Sequence, residues 1–180
     1  MSRQSGYSTH DIVLATEKVL MKIAGQEPAQ TLEHPSCLNL RQFIEHLLCR
    51  SQTSWNGLLL SLIYVLRFRR NMVTDAPTCG APSLRVMCLR RCFFSAILVA
   101  RKFHSEVTPT NRAWAGITEL SVHEVGQLEA EFLNVLDFDL YVSHEEFQTF
   151  KNRFVSFFSP GQVPQDRNKT DAQRLMDIYT

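Results

Sequence analysis

The sequence predicts an all-α fold, and two observations support this prediction. Apolar residues recur three and four positions apart in several stretches, as they do on one face of an α-helix, and no stretch alternates apolar and polar residues for more than a few positions. Between Cys92 and Ala100, nearly every residue is apolar or small. Because a helix without a polar face is normally surrounded by other helices, this stretch predicts the central helix of a bundle.

The central stretch is too short to cross a membrane. The charged pairs Arg90-Arg91 and Arg101-Lys102 bracket it, whereas a membrane-spanning helix needs about 20 apolar residues. We therefore expect a buried helix that begins near Leu84 and returns to water at Lys102, and no membrane span.

Length and composition limit the classes of protein. The chain has 180 residues, of which 44% are hydrophobic, which is enough for one core in a single domain with short tails. The formal net charge of +1 argues against nucleic-acid binding, which depends on concentrated positive charge. The five cysteines are odd in number and no secretory signal opens the chain, so we expect free, packed thiols in a reducing compartment.

Two amphipathic helices are predicted near the N-terminus. The first begins at Ser8, with Asp11 placed as in a capping box, and ends at Gly25. Residues 26–36 contain two prolines and predict a loop. Apolar residues at helical spacing then predict the second helix: Leu40, Phe43, Ile44, Leu47 and Leu48.

The third predicted helix runs from Trp55 to Arg69 and is apolar on most sides. Arg67, Arg69 and Arg70 fall at its end, where positive charge complements the helix dipole. A loop over residues 71–83, with two prolines and a glycine, separates this helix from the central one.

Three shorter helices are predicted after the central one. A short helix over residues 110–117 places Trp114 at the edge of the core. Capping boxes at Ser121 with Glu124, and at Ser143 with Glu146, begin the next two. The last helix carries a stripe of aromatic residues that we interpret as packing on the bundle: Phe147, Phe150, Phe154 and Phe157.

No arrangement of residues predicts chemistry. Glycine-rich phosphate loops and nucleophile motifs are absent from the sequence, and the consecutive His104-Ser105-Glu106 cannot converge on one substrate atom. The pairs His34-x-x-Cys37 and His46-x-x-Cys49 have plausible zinc-ligand types, but core cysteines and boundary histidines explain them better. We expect no catalytic residue, no metal site and no cofactor.

Three motifs in order carry a resemblance to a known family. These are Ala100-Arg101-Lys102-Phe103, the segment from Asn111 to Ala115, and the segment from Leu128 to Ser143. With their spacings they are similar to the ASKF, N..WA and LE.EFL..LDF.L.VS motifs of cyclins, more narrowly the P/U-type, phosphate-regulatory or PCL-like branch. The resemblance covers about residues 38–158, and its first half rests more loosely on the helix pattern.

The resemblance implies an architecture. A single five-helix cyclin box would occupy residues 37–142, with the central helix as its third helix. An N-terminal helix and linker would precede it over residues 1–36. A flanking helix would follow over residues 143–158 and a flexible tail over residues 159–180.

The resemblance also implies a function without catalysis. A cyclin forms a heterodimer with a cyclin-dependent kinase and moves the αC helix of the kinase into its active position, after which protein substrates bind the pair. Lys102 and Glu129 match the family's lysine and glutamate that hydrogen-bond the kinase backbone. Phe103, Val107 and Leu133 are candidates for apolar contacts. Taken alone, Lys102 would be a helix-end charge and Glu129 a solvated flank.

One motif departs from the cell-cycle branches of the family. Their M-R-A-I-L substrate-docking element is replaced here by LRQFIEHLL, so we expect that docking mode to be absent. The branch implies a location in nucleus and cytoplasm. A transcription-factor-like use of the fold is disfavoured by a single box and near-neutral charge. A helical scaffold for a non-kinase partner is the other alternative.

Overall fold

The computed structural model describes residues 8–25, 39–74 and 88–156. These residues form seven α-helices and no β-strand, which confirms the predicted all-α class. The helices are α1 Thr9–Ala24, α2 Leu40–Ser51, α3 Trp55–Thr74, α4 Leu89–His104, α5 Asn111–Thr118, α6 Val122–Val135 and α7 His144–Ser156. The linker predicted over residues 26–36, the tail over residues 159–180 and Phe157 lie outside the described residues.

Helix α4 is the central helix that the sequence predicted. All residues from 92 to 100 are buried, and α4 packs against α3 and α6 and also meets α1 and α2. It begins at Leu89 rather than near Leu84, because Cys88 has extended backbone and acts as the N-cap. No helix in the described part of the chain is long and apolar enough to span a membrane.

The helix starts show which capping predictions hold. At α6 the capping box is complete: the Glu124 N–H donates to Ser121 Oγ over 3.1 Å, and the Ser121 N–H donates to Glu124 Oε2 over 2.9 Å. The box predicted at α1 is wrong, because Ser8 contributes only its carbonyl, which accepts from Ile12 N over 3.1 Å. An additional box, between Asn39 and Gln42, begins α2.

Helix α3 is longer than predicted. It continues to Thr74, and Asn71 Nδ2 near its end donates to the Val135 carbonyl over 2.9 Å. Arg67, Arg69 and Arg70 therefore lie before the last turn, and their assignment to the helix dipole is wrong. The Arg67 side chain is buried and crosses to the segment that follows α6.

Aromatic side chains complete the core at its two ends. Trp114 of α5 is fully buried against Phe94, with ring centroids 5.9 Å apart. Phe150 and Phe154 of α7 are buried too, and the Phe154 ring lies 5.7 Å from that of Trp55. The interpretation of the α7 stripe as packing is confirmed for these two residues.

Helix α1 is an integral layer of the bundle. It buries eight residues and packs on α2, α3 and α4. Its outer edge is linked to α2 by Arg41 Nε, which donates to Glu17 Oε2 over 2.8 Å. The boundary at residue 37 between an N-terminal segment and the box stays a prediction.

Candidate functional site

The last turn of α4 and the middle of α6 form the centre of the candidate site. Lys102 lies two residues past the buried run of α4, and Glu129 projects from α6, which packs beside it. Lys102 Nζ donates to Glu129 Oε1 over 2.8 Å and to Oε2 over 2.7 Å. The structure therefore brings together the two polar residues that the sequence placed in the site.

Asn111 is a third member of the site, and it was not predicted as a site residue from the sequence. It is the first residue of α5, where Thr110 acts as N-cap with its side chain accepting from the Ala113 N–H. Asn111 Oδ1 accepts from Lys102 Nζ over 2.7 Å, and Asn111 Nδ2 donates to Glu129 Oε2 over 3.4 Å. The sequence did contain a signal for Asn111, because this residue begins the N..WA motif on which the resemblance rests.

These three residues, termed here the polar triad, are joined by hydrogen bonds and are partly buried. The Lys102 and Glu129 side chains are 30% and 19% exposed. A lysine ammonium has three donors, and this one has acceptors on both α5 and α6. The triad therefore presents a pre-oriented carboxylate and ammonium at the surface, where they can bind main-chain groups of a partner.

Two of the predicted apolar residues lie beside the triad in the chain and face solvent. Phe103 is 56% exposed and Val107 is 84% exposed. Leu133, one turn after Glu129 in α6, is only partly exposed and packs against the core. Phe103 and Val107 therefore have the exposure that a partner-binding residue needs, and the role of all three stays a prediction.

The segment after α6 adds an exposed aromatic residue that was not predicted as a site residue from the sequence. Phe138 is 63% exposed, and both Asp137 and Phe138 have positive φ, 50° and 56°. In the sequence, Phe138 is distinguished only by its place in the LDF motif after an amphipathic helix.

Tyr64 of α3 connects this segment to the end of α4. Its hydroxyl donates to the Leu140 carbonyl over 2.8 Å and lies 2.7 Å from His104 Nε2. His104 in turn packs edge-on against the Phe103 ring, with centroids 4.9 Å apart. Phe103 is thus linked to Tyr64 through His104, and Phe138 lies two residues before Leu140, whose carbonyl accepts from the same hydroxyl. The exposed side chains of Phe103, Val107 and Phe138 are together termed here the exposed apolar face.

Burial at this junction changes the acid–base properties of both side chains. It raises the pKa of Tyr64 well above its usual value, so the phenol keeps its proton. His104 is exposed as a whole, but its Nε2 edge contacts the buried hydroxyl, and this partial burial lowers the pKa of its imidazole. Both groups are therefore neutral at pH 7.

Of the four residues considered as zinc ligands, the structure describes only His46 and Cys49. His46 Nε2 is 3.0 Å from the Ile117 carbonyl, and Cys49 is exposed. His34 and Cys37 lie outside the described residues. Within residues 8–25, 39–74 and 88–156, no three metal-binding side chains form a group. Burial raises the pKa of Cys92 to about 12, so this thiol stays protonated.

A bundle around a buried central helix, with a lysine–glutamate pair at the end of that helix, defines a cyclin-type domain. The cyclin family model matches residues 15–140, which is more than half of the chain. The chain belongs to the cyclin family.

Curated relatives agree with the branch that the motifs indicated. The chain is 34% identical over 109 residues to the G1/S-specific cyclin pas1 of Schizosaccharomyces pombe, a match that covers 61% of this chain and 26% of the relative. It is 27% identical over 110 residues to PHO85 cyclin-1 of Saccharomyces cerevisiae, covering 60% and 37%. It is 29% identical over 122 residues to PHO85 cyclin-7 of the same yeast, covering 66% and 43%.

These matches confirm the resemblance to PCL-like cyclins. The matched part spans from 26% to 43% of the length of these three relatives.

Proposed function

We propose that this chain is a regulatory subunit that binds a cyclin-dependent kinase of the phosphate-pathway or PCL type and activates it by positioning the αC helix of the kinase. The observation that carries the proposal is the pre-oriented pair Lys102 and Glu129 beside the exposed apolar face. Membership of the cyclin family supports it, and so do relatives whose names include PHO85.

The polar triad suits the N-terminal end of a helix in the partner. The first four N–H groups of a helix have no partner within the helix, and a carboxylate near them is stabilised by the helix dipole. Glu129 would accept from such N–H groups, while Lys102 would exchange one of its three bonds within the triad for a bond to a carbonyl of the preceding loop. Asn111 keeps both charges in place before the kinase arrives.

The exposed apolar face would supply much of the affinity. A Phe side chain buries about 150–250 Å² when it enters an interface, and each Å² of apolar surface contributes about 25 cal/mol. Phe103 lies in α4 and Phe138 in the segment after α6, so the contact with the kinase would involve both elements.

Activation would follow from geometry alone. A protein kinase is active when the lysine of its β3 strand pairs with the glutamate of its αC helix. A rigid partner that binds the αC helix in that position stabilises the active state. The cyclin would therefore contribute binding energy and no chemical group, which agrees with the expectation that it is not an enzyme.

The test measures complex formation and kinase activity with a purified PHO85-type kinase. Lys102→Glu and Glu129→Lys should each lower both, whereas Lys18→Glu, at an exposed position of α1, should lower neither. Helical content by circular dichroism verifies that each variant is folded.

The outcomes separate the proposal from its alternatives. If the wild-type chain binds no cyclin-dependent kinase, the proposal is wrong, and a helical scaffold or a transcription-factor-like role takes its place. If it binds and activates but the folded variants do so equally well, the kinase role stands and the assignment of Lys102 and Glu129 is wrong.

A further inference from the structure

Two side chains of α3 hold the segment that follows α6. Arg67 Nη1 donates to the Asp139 carbonyl over 2.9 Å, and Arg67 Nη2 donates to the Tyr141 carbonyl over 2.8 Å. The carbonyl between them, that of Leu140, accepts from Tyr64 over 2.8 Å. Three consecutive carbonyls are thus bound from one helix. Tyr64 and Arg67, one turn apart, are termed here the α3 clamp.

The charge of Arg67 is balanced within the protein. Arg67 is 6% exposed, and its Nη2 lies 2.9 Å from each carboxylate oxygen of Glu146 in α7. The Asp139 carboxylate lies 3.4 Å from Nη1. Since a buried charge is tolerated only with close partners, this geometry depends on α3, α7 and the segment between α6 and α7 together.

Glu146 departs from its predicted role in a way that favours the clamp. Ser143 caps α7 as predicted, because its Oγ accepts from the Glu146 N–H over 3.1 Å. In a full capping box the glutamate side chain would bond back to the N-cap backbone. Here the carboxylate bonds to Arg67 instead, so a local helix-start interaction is replaced by one that secures the clamp.

The clamped residues directly follow a strained turn. Asp137 and Phe138 have φ of 50° and 56°, a conformation that costs about 1–2 kcal/mol for a residue such as Phe138 and less for Asp. Such strain persists when the surrounding structure holds it in place. Residues 139–141 are the ones held, so the clamp fixes the conformation in which Phe138 is exposed.

Tyr64 of the α3 clamp also contacts His104, the last residue of α4. The one proton of the Tyr64 hydroxyl is donated to Leu140, so His104 Nε2 must carry the hydrogen that joins it to Tyr64 over 2.7 Å. His104 contacts Phe103. One hydroxyl therefore joins His104, the residue after Phe103, to a carbonyl two residues after Phe138.

We infer that Tyr64 and Arg67 are positioning residues for kinase binding: they hold Phe138 and Phe103 in place without contacting the kinase themselves. This inference rests on the proposed function. It predicts that affinity for the kinase depends on buried groups of α3, beyond any effect that these groups have on the stability of the fold.

The test compares Tyr64→Phe with a core variant of similar stability. Tyr64→Phe removes only the hydroxyl and keeps the buried ring. Val19→Ala, at a fully buried residue of α1, is the matched control, because it lowers stability by removing apolar side-chain atoms and removes none of the hydrogen bonds of the clamp. Affinity for a PHO85-type kinase is measured at a temperature where all variants are folded. We expect Tyr64→Phe to weaken binding on the order of tenfold and Val19→Ala to leave it unchanged.

A double-mutant cycle shows whether the effect passes through Phe138. If the clamp acts by holding this side chain, Tyr64→Phe should weaken binding much less in a Phe138→Ala background than in the wild type. Amide hydrogen exchange of residues 137–143 in the free chain should also become faster in Tyr64→Phe and not in Val19→Ala.

Three results would overturn the inference. Tyr64→Phe could bind the kinase as tightly as the wild type, Val19→Ala could lose as much affinity, or the loss could be equal with and without Phe138. If the proposed function is wrong, the wild-type chain itself binds no kinase, which distinguishes this outcome from the three results above. The positioning role is then refuted as well.

Discussion

Lys102 and Glu129, 27 positions apart in the chain, are joined by hydrogen bonds of 2.7 and 2.8 Å between α4 and α6. Both side chains are half-buried, and Asn111 contacts each of them. A half-exposed ion pair contributes only about 1 kcal/mol to stability. The pair therefore adds little to the stability of the fold, which agrees with the partner-binding role proposed above.

Exchanging the two charges separates these roles. In the double variant Lys102→Glu with Glu129→Lys, the ion pair can re-form, so the free energy of unfolding should recover most of what either single variant loses. Kinase binding should not recover, because the carboxylate and the ammonium have changed places relative to the partner. Denaturant unfolding and kinase affinity are measured on the four proteins of the cycle. Recovery of affinity together with stability would mean that the pair acts only within the fold.

The exposed apolar face makes a second prediction. Phe138→Ala and Phe103→Ala should each weaken kinase binding by about 2 kcal/mol, as expected for an aromatic residue at the centre of an interface. The unfolding free energy should change by less than about 0.5 kcal/mol for such exposed side chains. Val122→Ala, at an exposed apolar residue of α6, is the control and should bind normally. Equal losses in all three variants would remove the special role of this face.

Local patterns made much of the fold predictable. The apolar run from Cys92 to Ala100 has no side that water could contact, so burial of α4 followed from the sequence alone. The capping box at Ser121 and Glu124 involves residues three positions apart, and it forms as predicted. Lys102 and Glu129 were found through the family motif rather than through any local rule.

Contacts between distant residues were not predictable in this way. Arg67 looked like a helix-end charge, yet its acceptors lie 72 and 74 positions further along the chain. The sequence predicted no role for Tyr64, because its partners, His104 and Leu140, are 40 and 76 positions away. A pattern that covers one or two turns carries no information about which carbonyls another element will bring close.

Two serines at helix starts offer a direct comparison of capping energies. The Ser121 side chain accepts from the Glu124 N–H, so Ser121→Ala should lower the free energy of unfolding by about 1 kcal/mol. Ser8 occupies the same position in α1 but makes no side-chain cap bond, so Ser8→Ala should have almost no effect. Urea unfolding of both variants checks this, and equal losses would contradict the capping geometry.

The His104 imidazole predicts a dependence of stability on pH. Its pKa is lowered in the folded chain by partial burial against Tyr64, whereas an unfolded histidine titrates near ~6.5. Between the lowered pKa and ~6.5, the unfolded chain binds more protons than the folded one, so stability rises with pH across this window. The contribution of His104 is complete above ~6.5 and is lost as the pH falls through the folded pKa.

A difference measurement isolates this residue from the other titrating groups. Unfolding free energies of the wild type and of His104→Gln are compared from pH 7.5 down to pH 5, since glutamine can still donate to the Tyr64 hydroxyl but does not titrate. The wild type should lose more stability than His104→Gln as the pH falls below ~6.5, and the two curves should run parallel above it. Parallel curves over the whole range would mean that the imidazole titrates alike in the folded and unfolded chain, and that its contact with Tyr64 does not restrict protonation.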